Sequence, residues 1–322
     1  MTIGRTEPTP SADIAIQARG LRIEYPKRTV FETLDMSAPA GRITAVLGRN
    51  GSGKTTLVRA LATLQPYQAG SLCVLGHEVK DSAQTVRGIV GLAGQHAAVV
   101  AELTGVENLR MVARLYGLSP KEASRAAAVV IDEFALSEFV DRRVATYSGG
   151  QRRRLDLAAT FVNRPAVLLL DEPTTGLDPH SRNSLWESIR TLPANGTSVL
   201  LTTQYLEEAQ VLADEVVIID DGHVIQAGTP HQLRRTMANT RLRLVTHEPL
   251  SDDESTALAA RLLGEVSELR DNELTVTGQF DLDAAHRAVT EQGISSDIAE
   301  FSVSPPTLDD VFLSMTGSEA SP

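Results

Sequence analysis

One segment near the start of the chain constrains the fold more than any other. Residues 48–55 read Gly-Arg-Asn-Gly-Ser-Gly-Lys-Thr and fit the pattern G-x-x-x-x-G-K-[ST]. The apolar run 43–47 precedes this segment, and such a run is typical of a buried parallel strand. After it, Leu57, Leu61 and Leu64 recur at helical spacing. The sequence therefore predicts a strand, a tight glycine-rich loop and a helix in direct succession.

This loop has the chemistry of a phosphate-binding site. Glycines let backbone N–H groups close around a phosphate, and the helix N-terminus adds its partial positive charge. We expect Lys54 to reach the β- and γ-phosphate oxygens of a nucleotide and the Thr55 hydroxyl to hold Mg²⁺. A glycine-rich turn with a chance lysine is the alternative, and the flanking strand and helix disfavour it. The loop residues predicted to bind nucleotide are Gly48, Asn50, Gly51, Ser52, Gly53, Lys54, Thr55 and Thr56.

Two adjacent carboxylates end a second apolar run. Residues 167–170 are Val-Leu-Leu-Leu, and Asp171 and Glu172 follow them. A carboxylate at the end of a buried strand near Thr55 completes the shell of a Mg²⁺ ion. The next carboxylate is placed to orient an attacking water or accept its proton. We therefore predict Asp171 as a metal ligand and Glu172 as a catalytic residue, with an exposed acidic turn as the alternative.

A third motif lies between the first two. Residues 147–151, Tyr-Ser-Gly-Gly-Gln, precede the acidic strand by one helix, and residues 173–178, Pro-Thr-Thr-Gly-Leu-Asp, follow it. This combination resembles the ABC ATPases, with Tyr147 where leucine is commoner in their signature sequence. The resemblance covers about residues 14–230. It implies an α/β P-loop NTPase fold, the ABC nucleotide-binding domain, with a RecA-like core and a helical subdomain at about residues 96–160.

The resemblance also implies roles for individual residues. Tyr25 stands where the family has an aromatic side chain that stacks on the adenine of ATP, although a strand-end tyrosine packed on the core is the alternative. Gln95 matches the glutamine that senses Mg²⁺ and joins the core to the helical subdomain, with an exposed loop side chain as the alternative. Asp178 matches a loop that contacts an opposing subunit.

The signature implies a homodimer. In the family it covers the ATP held by a second copy, so that two ATP molecules lie between two chains related by twofold symmetry. A helix start at this point offers free N–H groups and a dipole suited to a γ-phosphate. The arginines at 152–154 follow, and either a mostly solvated face or contact with a partner or phosphate accounts for them. The signature residues implied to contact ATP are Ser148, Gly149, Gly150 and Gln151.

One position departs from the family pattern. Gln204 follows the predicted strand 198–202, where most members have histidine. Glutamine donates a hydrogen bond but does not carry charge or titrate near neutral pH. A neutral donor stabilises transition-state charge less well than a cation. We therefore expect hydrolysis that involves Glu172, Gln95 and Gln204, at a slower rate than a histidine would give.

The sequence around Gln204 and at residues 306–313 resembles that of the daunorubicin/doxorubicin-resistance branch of ABC exporters. That resemblance implies an ATP-hydrolysing subunit that drives export of drugs, antibiotics or lipophilic compounds through separately encoded integral-membrane permease subunits. Residues 231–322 are then a small α+β domain for assembly or regulation. An importer ATPase and a non-transport soluble ABC ATPase remain the alternatives.

Charge and hydropathy limit the partners and the cellular location that we expect for the chain. The net charge of −11 disfavours nucleic acid as a partner, because nucleic-acid binders carry a basic face. Only 94 positions separate Lys54 from Ser148, without the sustained heptads of chromosome-maintenance ATPases. No apolar run approaches the ~20 residues that span a bilayer, and residues 1–13 read as a disordered tail without a signal-peptide core. We expect a cytoplasmic chain on the inner face of the cell membrane.

Overall fold

The structure, a computed structural model, describes residues 13–95, 98–236, 240–278, 280–294 and 297–304. The predicted disordered tail, Asp13 apart, and the motif at 306–313 lie outside the described residues. The chain divides into two compact units, the first ending at Thr229 and the second beginning at Pro230. Within the described part, no helix combines the length and apolarity needed to cross a bilayer.

The first unit contains ten strands and seven α-helices among its described residues. The strands are β1 (Ile14–Tyr25), β2 (Arg28–Pro39), β3 (Ile43–Leu47), β4 (Ala69–Val74), β5 (His77–Glu78), β6 (Val90–Ala93), β7 (Val167–Asp171), β8 (Ser198–Thr203), β9 (Glu215–Asp220) and β10 (His223–Gly228). The helices are α1 (Lys54–Leu61), α2 (Ala83–Ile89), α3 (Gly105–Leu115), α4 (Pro120–Glu133), α5 (Gly149–Phe161), α6 (Pro179–Thr191) and α7 (Leu206–Leu212).

The strands form two sheets that share a hydrophobic core. An antiparallel sheet has the order β2-β1-β4-β5, and a six-stranded sheet has the order β10-β9-β3-β8-β7-β6. All strands of the second sheet are parallel except β10, which pairs antiparallel with β9. Every residue of β3, β7 and β8 is buried, as expected for parallel strands covered on both faces.

The register of the parallel strands assembles the site. Leu47 pairs with Thr203, and Asp171 pairs with Thr202, so β3, β7 and β8 end at the same edge of the sheet. Ligands of open α/β sheets bind at this carboxyl edge. The three segments that follow these strands, which include residues 48–53, Glu172 and Gln204, are therefore neighbours although far apart in sequence.

Helices α3, α4 and α5 form the helical part of the first unit. Each begins with a capping box, in which the N-cap hydroxyl accepts from a backbone N–H three residues on and that residue's side chain accepts in return. The predicted subdomain at 96–160 falls on these helices, although residues 96–97 lie outside the described part. Phe134 and Phe161 pack edge to face between them, with ring centroids 5.7 Å apart.

The second unit is a four-stranded antiparallel sheet with helices. After α8 (Pro230–Thr236), its elements are β11 (Thr240–Thr246), α9 (Asp252–Arg261), β12 (Gly264–Arg270), β13 (Glu273–Gly278), α10 (Leu282–Glu291) and β14 (Ile298–Ser304). The strand order is β12-β13-β11-β14. Buried apolar residues of β11, β13, α9 and α10 form its own core. The strand β12 was not predicted from the sequence, because it is a largely exposed edge strand without an apolar face.

Candidate functional site

The loop at residues 48–53 wraps around the buried side chain of Lys54. The Lys54 ammonium donates to the backbone carbonyls of Gly48 at 2.7 Å and Arg49 at 3.0 Å. Burial lowers the pKa of Lys54, and the nearby carboxylates of Glu172 and Asp171 oppose that effect. The lysine is thus held at the N-terminus of helix α1, where backbone N–H groups are free of intrahelical partners. This arrangement suits the binding of a phosphate group.

Gly53 has two reasons to be glycine, and only one was evident from the sequence. It is the N-cap of α1 with a φ of 106°, a left-handed conformation that side chains disfavour. A Cβ atom at this position would also lie 2.5 Å from the ring of Phe31 in β2. Packing against the antiparallel sheet therefore fixes the loop as much as the need to expose backbone N–H groups does.

The two predicted acids lie beside Lys54 and Thr55. The Thr55 hydroxyl donates to Asp171 Oδ1 at 3.2 Å, and Lys54 Nζ lies 3.7 Å from Glu172 Oε1. Asp171 is buried, whereas the side chain of Glu172 keeps 13% of its exposure. The buried Asp171 carboxylate is thus oriented by hydrogen bonds, and the Glu172 carboxylate remains accessible to a water molecule.

Thr202 orients the Asp171 carboxylate and holds the backbone of Glu172, although no sequence motif marks it. This residue of β8 is fully buried, and its hydroxyl donates to Asp171 Oδ1 at 2.6 Å. The same hydroxyl oxygen accepts from the backbone N–H of Glu172 at 3.1 Å. The only signal in the sequence was a hydroxyl near the end of a buried apolar strand, which is too common to identify a site.

A cavity of about 450 Å³ lies over the loop and the acids. Tyr25, 39% exposed at the end of β1, forms part of its wall and is not packed in the core. Gln95 reaches it from the end of β6, with Nε2 3.5 Å from the Thr55 hydroxyl. The lining residues are Tyr25, Arg28, Val30, Asn50, Gly51, Gly53, Lys54, Thr55, Thr56, Gln95 and Glu172.

Arg28 is a further member of the cavity wall that sequence reasoning missed. It begins β2, and its Nη2 donates to the carbonyl of Gly51 at 2.7 Å. A guanidinium at this position adds positive charge to a cavity suited to an anionic ligand. No motif marks the residue, since it lies outside the glycine-rich pattern.

The signature residues are built into a helix start and do not line this cavity. Ser148 is the N-cap of α5, and its hydroxyl accepts from the backbone N–H of Gln151 at 3.2 Å. In return, the Gln151 side chain accepts from the backbone N–H of Ser148. Gly149 is exposed. The N-terminus of α5 is therefore rigidly capped, and of its residues Ser148 and Gly149 face solvent within the single chain.

Gly150 and Asp178 both lie against Ser181 of α6. A Cβ atom on Gly150 would be 2.2 Å from the Ser181 hydroxyl oxygen, so the residue must be glycine for helix packing. Asp178 is the N-cap of α6 and accepts from the backbone N–H and the hydroxyl of Ser181. These bonds lower the pKa of Asp178. The start of α5 is thereby joined to the loop that contains Asp178.

Gln204 follows β8 and is half-buried, outside the cavity lining. Its neighbour Thr203 accepts at its carbonyl from the backbone N–H of Gly48 at 3.3 Å, which places residue 204 beside the first glycine of the loop. Among the described residues the sheet thus brings together the segments that carry Gln204, Glu172 and Lys54. The signature lies apart from them.

The three arginines at 152–154 do not form a single solvated face. Arg152 is exposed, but Arg153 is only 7% exposed and forms hydrogen bonds inside the unit. Its Nε donates to the carbonyl of Pro173 at 2.8 Å. The expectation of a mostly solvated run is therefore wrong for Arg153, because the second arginine of the run points toward the sheet.

The residues predicted to hold Mg²⁺ fit that ion. The Thr55 hydroxyl lies within hydrogen-bonding reach of both the Asp171 carboxylate and the Gln95 amide. Magnesium prefers oxygen ligands and takes few from the protein, since it keeps waters and binds substrate phosphates. The described residues contain no cluster of three or more His, Cys, Asp or Glu side chains, so a dedicated all-protein metal cage is not part of the described site.

Comparison with known proteins agrees with this geometry. The ABC transporter family matches residues 31–175. The chain is 43% identical to the daunorubicin/doxorubicin resistance ATP-binding protein DrrA of Streptomyces peucetius, over 98% of this chain and 95% of that protein. It is 42% identical to the daunorubicin resistance ATP-binding protein DrrA3 of Streptomyces coeruleorubidus, over 96% of this chain and 98% of that protein.

A solved structure of the ATP-binding subunit of an ABC transporter has a similar fold. Its TM-score is 0.61 at 29% identity, and the match covers 69% of this chain and 92% of the other. The fold class predicted from the motifs is thereby confirmed. The chain belongs to the ABC transporter family, as one of its ATP-binding, ATP-hydrolysing subunits.

Proposed function

We propose that this ATPase drives export of antibiotic-type compounds through separate membrane subunits, from the inner face of the cell membrane. The observation that carries the proposal is the juxtaposition of Lys54, Thr55, Asp171, Glu172 and Gln95 at one sheet edge under a nucleotide-sized cavity. Its relatives named for daunorubicin resistance match nearly the whole chain, including the second unit. That full-length match favours a shared cargo class.

The cavity wall supports a definite pose for ATP. Tyr25 stands at the open end, where an exposed ring offers a stacking face for adenine. The free N–H groups of the loop and the ammonium of Lys54 take the β- and γ-phosphates. Arg28 lies along the same wall and adds charge complementarity. Base, ribose and triphosphate then run from Tyr25 toward Glu172.

Thr55, Asp171 and Gln95 would hold Mg²⁺. The ion, when bound, neutralises charge on the β- and γ-phosphate oxygens. The remaining chemistry falls to the chain itself. Glu172 orients the attacking water and accepts its proton, because its carboxylate is partly open to solvent. Its distance of 3.7 Å from Lys54 Nζ places it beside the proposed position of the γ-phosphate. Gln204 donates a neutral hydrogen bond near the γ-phosphate.

The exposed start of α5 supports a homodimer. Ser148 and Gly149 face solvent on a capped helix N-terminus, yet they do not line their own chain's cavity. An anion placed at such a terminus gains from the helix dipole and the free N–H groups. In the proposed dimer each signature, Gly150 and Gln151 included, closes on the ATP of the other chain. Asp178 is joined to the start of α5 through Ser181, so it would lie at the same dimer interface.

The second unit is proposed to serve assembly or regulation. It has its own core and four-stranded sheet, so it is a structural unit separate from the ATPase machinery. The residues of the machinery described above all lie before Thr229. Binding to integral-membrane permease subunits is then shared between this unit and the helical part at α3–α5.

The substitution Glu172→Gln tests the proposed reaction. It keeps the shape of the side chain but removes the proton acceptor, so ATP binding is expected to persist while kcat falls by about 10²- to 10⁴-fold. Binding is measured with a fluorescent ATP analogue and turnover by phosphate release. Wild-type turnover in Glu172→Gln would show that another residue activates the water.

The same variant tests export in cells. A strain lacking this gene is expected to accumulate daunorubicin and to lose resistance to it. The wild-type gene should restore both properties, and the Glu172→Gln gene should restore neither. Equal drug accumulation in the deleted and complemented strains would remove the export assignment while leaving the ATPase assignment intact.

A further inference from the structure

Arg153 is a buried guanidinium that contacts two loops of the ATPase site at once. Its Nε donates to the carbonyl of Pro173, the residue after Glu172, at 2.8 Å. Its Nη1 donates to the carbonyl of Gly94, the residue before Gln95, at 2.5 Å. The side chain itself belongs to α5, the helix that begins with the signature. One residue therefore touches the backbone beside both Gln95 and Glu172.

Asp156 extends this connection to the other side of Gln95. It lies one turn further along α5, and its Oδ2 accepts from Arg153 Nη1 at 3.2 Å. Its Oδ1 accepts from the backbone N–H of Ala98 at 2.7 Å. The pair thus holds residue 94 directly and residue 98 through Asp156. The described backbone on both sides of Gln95, at residues 94 and 98, is therefore bonded to α5.

The burial of this pair makes the loss of either partner costly. Arg153 and Asp156 are 7% and 4% exposed. A buried ion pair tolerates little displacement, because loss of either partner leaves an uncompensated charge in a low dielectric. Arginine also presents its donors in a rigid planar fork, which a lysine ammonium does not reproduce. Small shifts of α5 therefore carry the two carbonyls with them.

We propose that Arg153, supported by Asp156, is a positioning residue that couples the signature helix to Gln95 and Glu172 of the same chain. The inference rests on the proposed dimer, in which α5 contacts the partner's ATP while Gln95 and Glu172 act on the chain's own. Closure of α5 on one ATP then sets the position of the Mg²⁺-sensing glutamine and the catalytic carboxylate at the other. The two sites communicate through each chain.

The substitution Arg153→Lys tests the coupling, with Arg152→Lys as the matched control. Both variants keep the charge of α5, but only Arg153 has the fork that joins Gly94 to Pro173. Arg153→Lys is expected to bind an ATP analogue within about threefold of wild type and to lower kcat at least about tenfold, since small misplacements of catalytic groups are costly. Arg152→Lys should match wild type in both.

The Mg²⁺ dependence of hydrolysis distinguishes positioning from a general structural role. If Arg153 acts through Gln95, Arg153→Lys raises the Mg²⁺ concentration for half-maximal rate. The same substitution added to Gln95→Ala should cause no further rise, because the side chain through which it acts is gone. An equal rise with and without Gln95, or no rise at all, would overturn the proposal.

Stability is monitored in parallel. A melting temperature within about 4 °C of wild type keeps Arg153→Lys interpretable. If it falls further, Asp156→Asn is used instead, since asparagine keeps an acceptor for Ala98 N–H and weakens the hold on Arg153. It should raise the Mg²⁺ requirement in the same Gln95-dependent way, and an unchanged requirement would overturn the proposal. If the wild-type protein does not hydrolyse ATP at all, the result would instead contradict the proposed function.

Discussion

At the scale of single residues, one of the two acids of the site, Glu172, is held in an uncommon backbone conformation. Glu172 has a φ of 48°, in the left-handed region that few side chains adopt. Two hydrogen bonds from its N–H to the carbonyl and hydroxyl of Thr202 hold it there. Such strain persists where surrounding bonds over-determine it, and it is frequent at active sites. Its consequence here is that the Glu172 carboxylate turns toward Lys54.

Gln204 gives the first prediction at this scale. In Gln204→His a protonated imidazole would donate a charge-assisted hydrogen bond, so we expect a rate about fivefold higher, equivalent to about 1 kcal/mol. The gain should be largest below about pH 6.5 and shrink above it, as the imidazole loses its proton. The wild-type pH profile should contain no such step from this position. ATPase rates between about pH 5.5 and 8.5 measure both effects, and a slower histidine variant would contradict the expectation.

At the scale of elements, the start of α5 is fixed by packing behind the signature. Tyr147 is buried, its ring lies edge to face on Phe139 at 5.0 Å, and Arg142 lies over its face. Its hydroxyl donates to the carbonyl of Phe139 at 2.8 Å. The aromatic residue in place of the commoner leucine therefore adds a hydrogen bond, which fixes the chain where it enters Ser148.

Tyr147→Phe removes the hydroxyl that makes this hydrogen bond. The Phe139 carbonyl keeps a second donor, the backbone N–H of Arg142. The loss should therefore be about 1 kcal/mol in the free energy of unfolding. Tyr116→Phe is the control, because Tyr116 is 42% exposed and should change stability by less than about 0.5 kcal/mol. Urea denaturation of both variants provides the comparison, and equal stabilities would assign Tyr147 no role beyond its ring.

At the scale of the whole molecule, the separation of signature and cavity makes a single chain incomplete in the proposed mechanism. Lys54→Ala removes the phosphate ligand of a chain's own site. Gly149→Asp disables only the signature, which in the proposed dimer contacts the ATP of the partner chain. The fold of its own chain should be unaffected, since a Cβ atom at residue 149 meets nothing within 4 Å. An acidic residue in the first turn of α5 is also compatible with the helix dipole.

A mixing experiment follows from that arrangement. Each variant alone should be nearly inactive, because both sites of each homodimer lack one half. Equal mixtures should recover turnover, with about a quarter of the wild-type rate as the upper limit, since half of the dimers are mixed and each of these has one intact site of two. Coupling between the two sites through α5 lowers the recovery below that limit. Phosphate release after co-refolding or co-expression measures the recovery. No recovery above the separate variants would contradict shared sites.

The sequence by itself determined the parts of the site whose chemistry is local. A glycine-rich loop between an apolar strand and a helix has one main use, so its pattern alone identifies Lys54 and Thr55. The same holds for Asp171 and Glu172, because paired acids at the tip of a buried strand need a functional reason. Short apolar runs likewise predicted the strands β3, β7 and β8.

Only the tertiary structure decided which distant residues support that site. Thr202 and Arg28 contact the acids or the loop from other elements, and no motif marks either residue. The arginine run at 152–154 was visible in the sequence, but the bonds of Arg153 to the carbonyls of Gly94 and Pro173 were not. Strand β2 was missed because apolar and polar residues alternate regularly only in its second half, at Leu34, Met36 and Ala38. The physical reason is the same for these three residues and for β2. Contacts between segments far apart in sequence determine which side chains are buried and what they bind, and the local sequence does not specify those contacts.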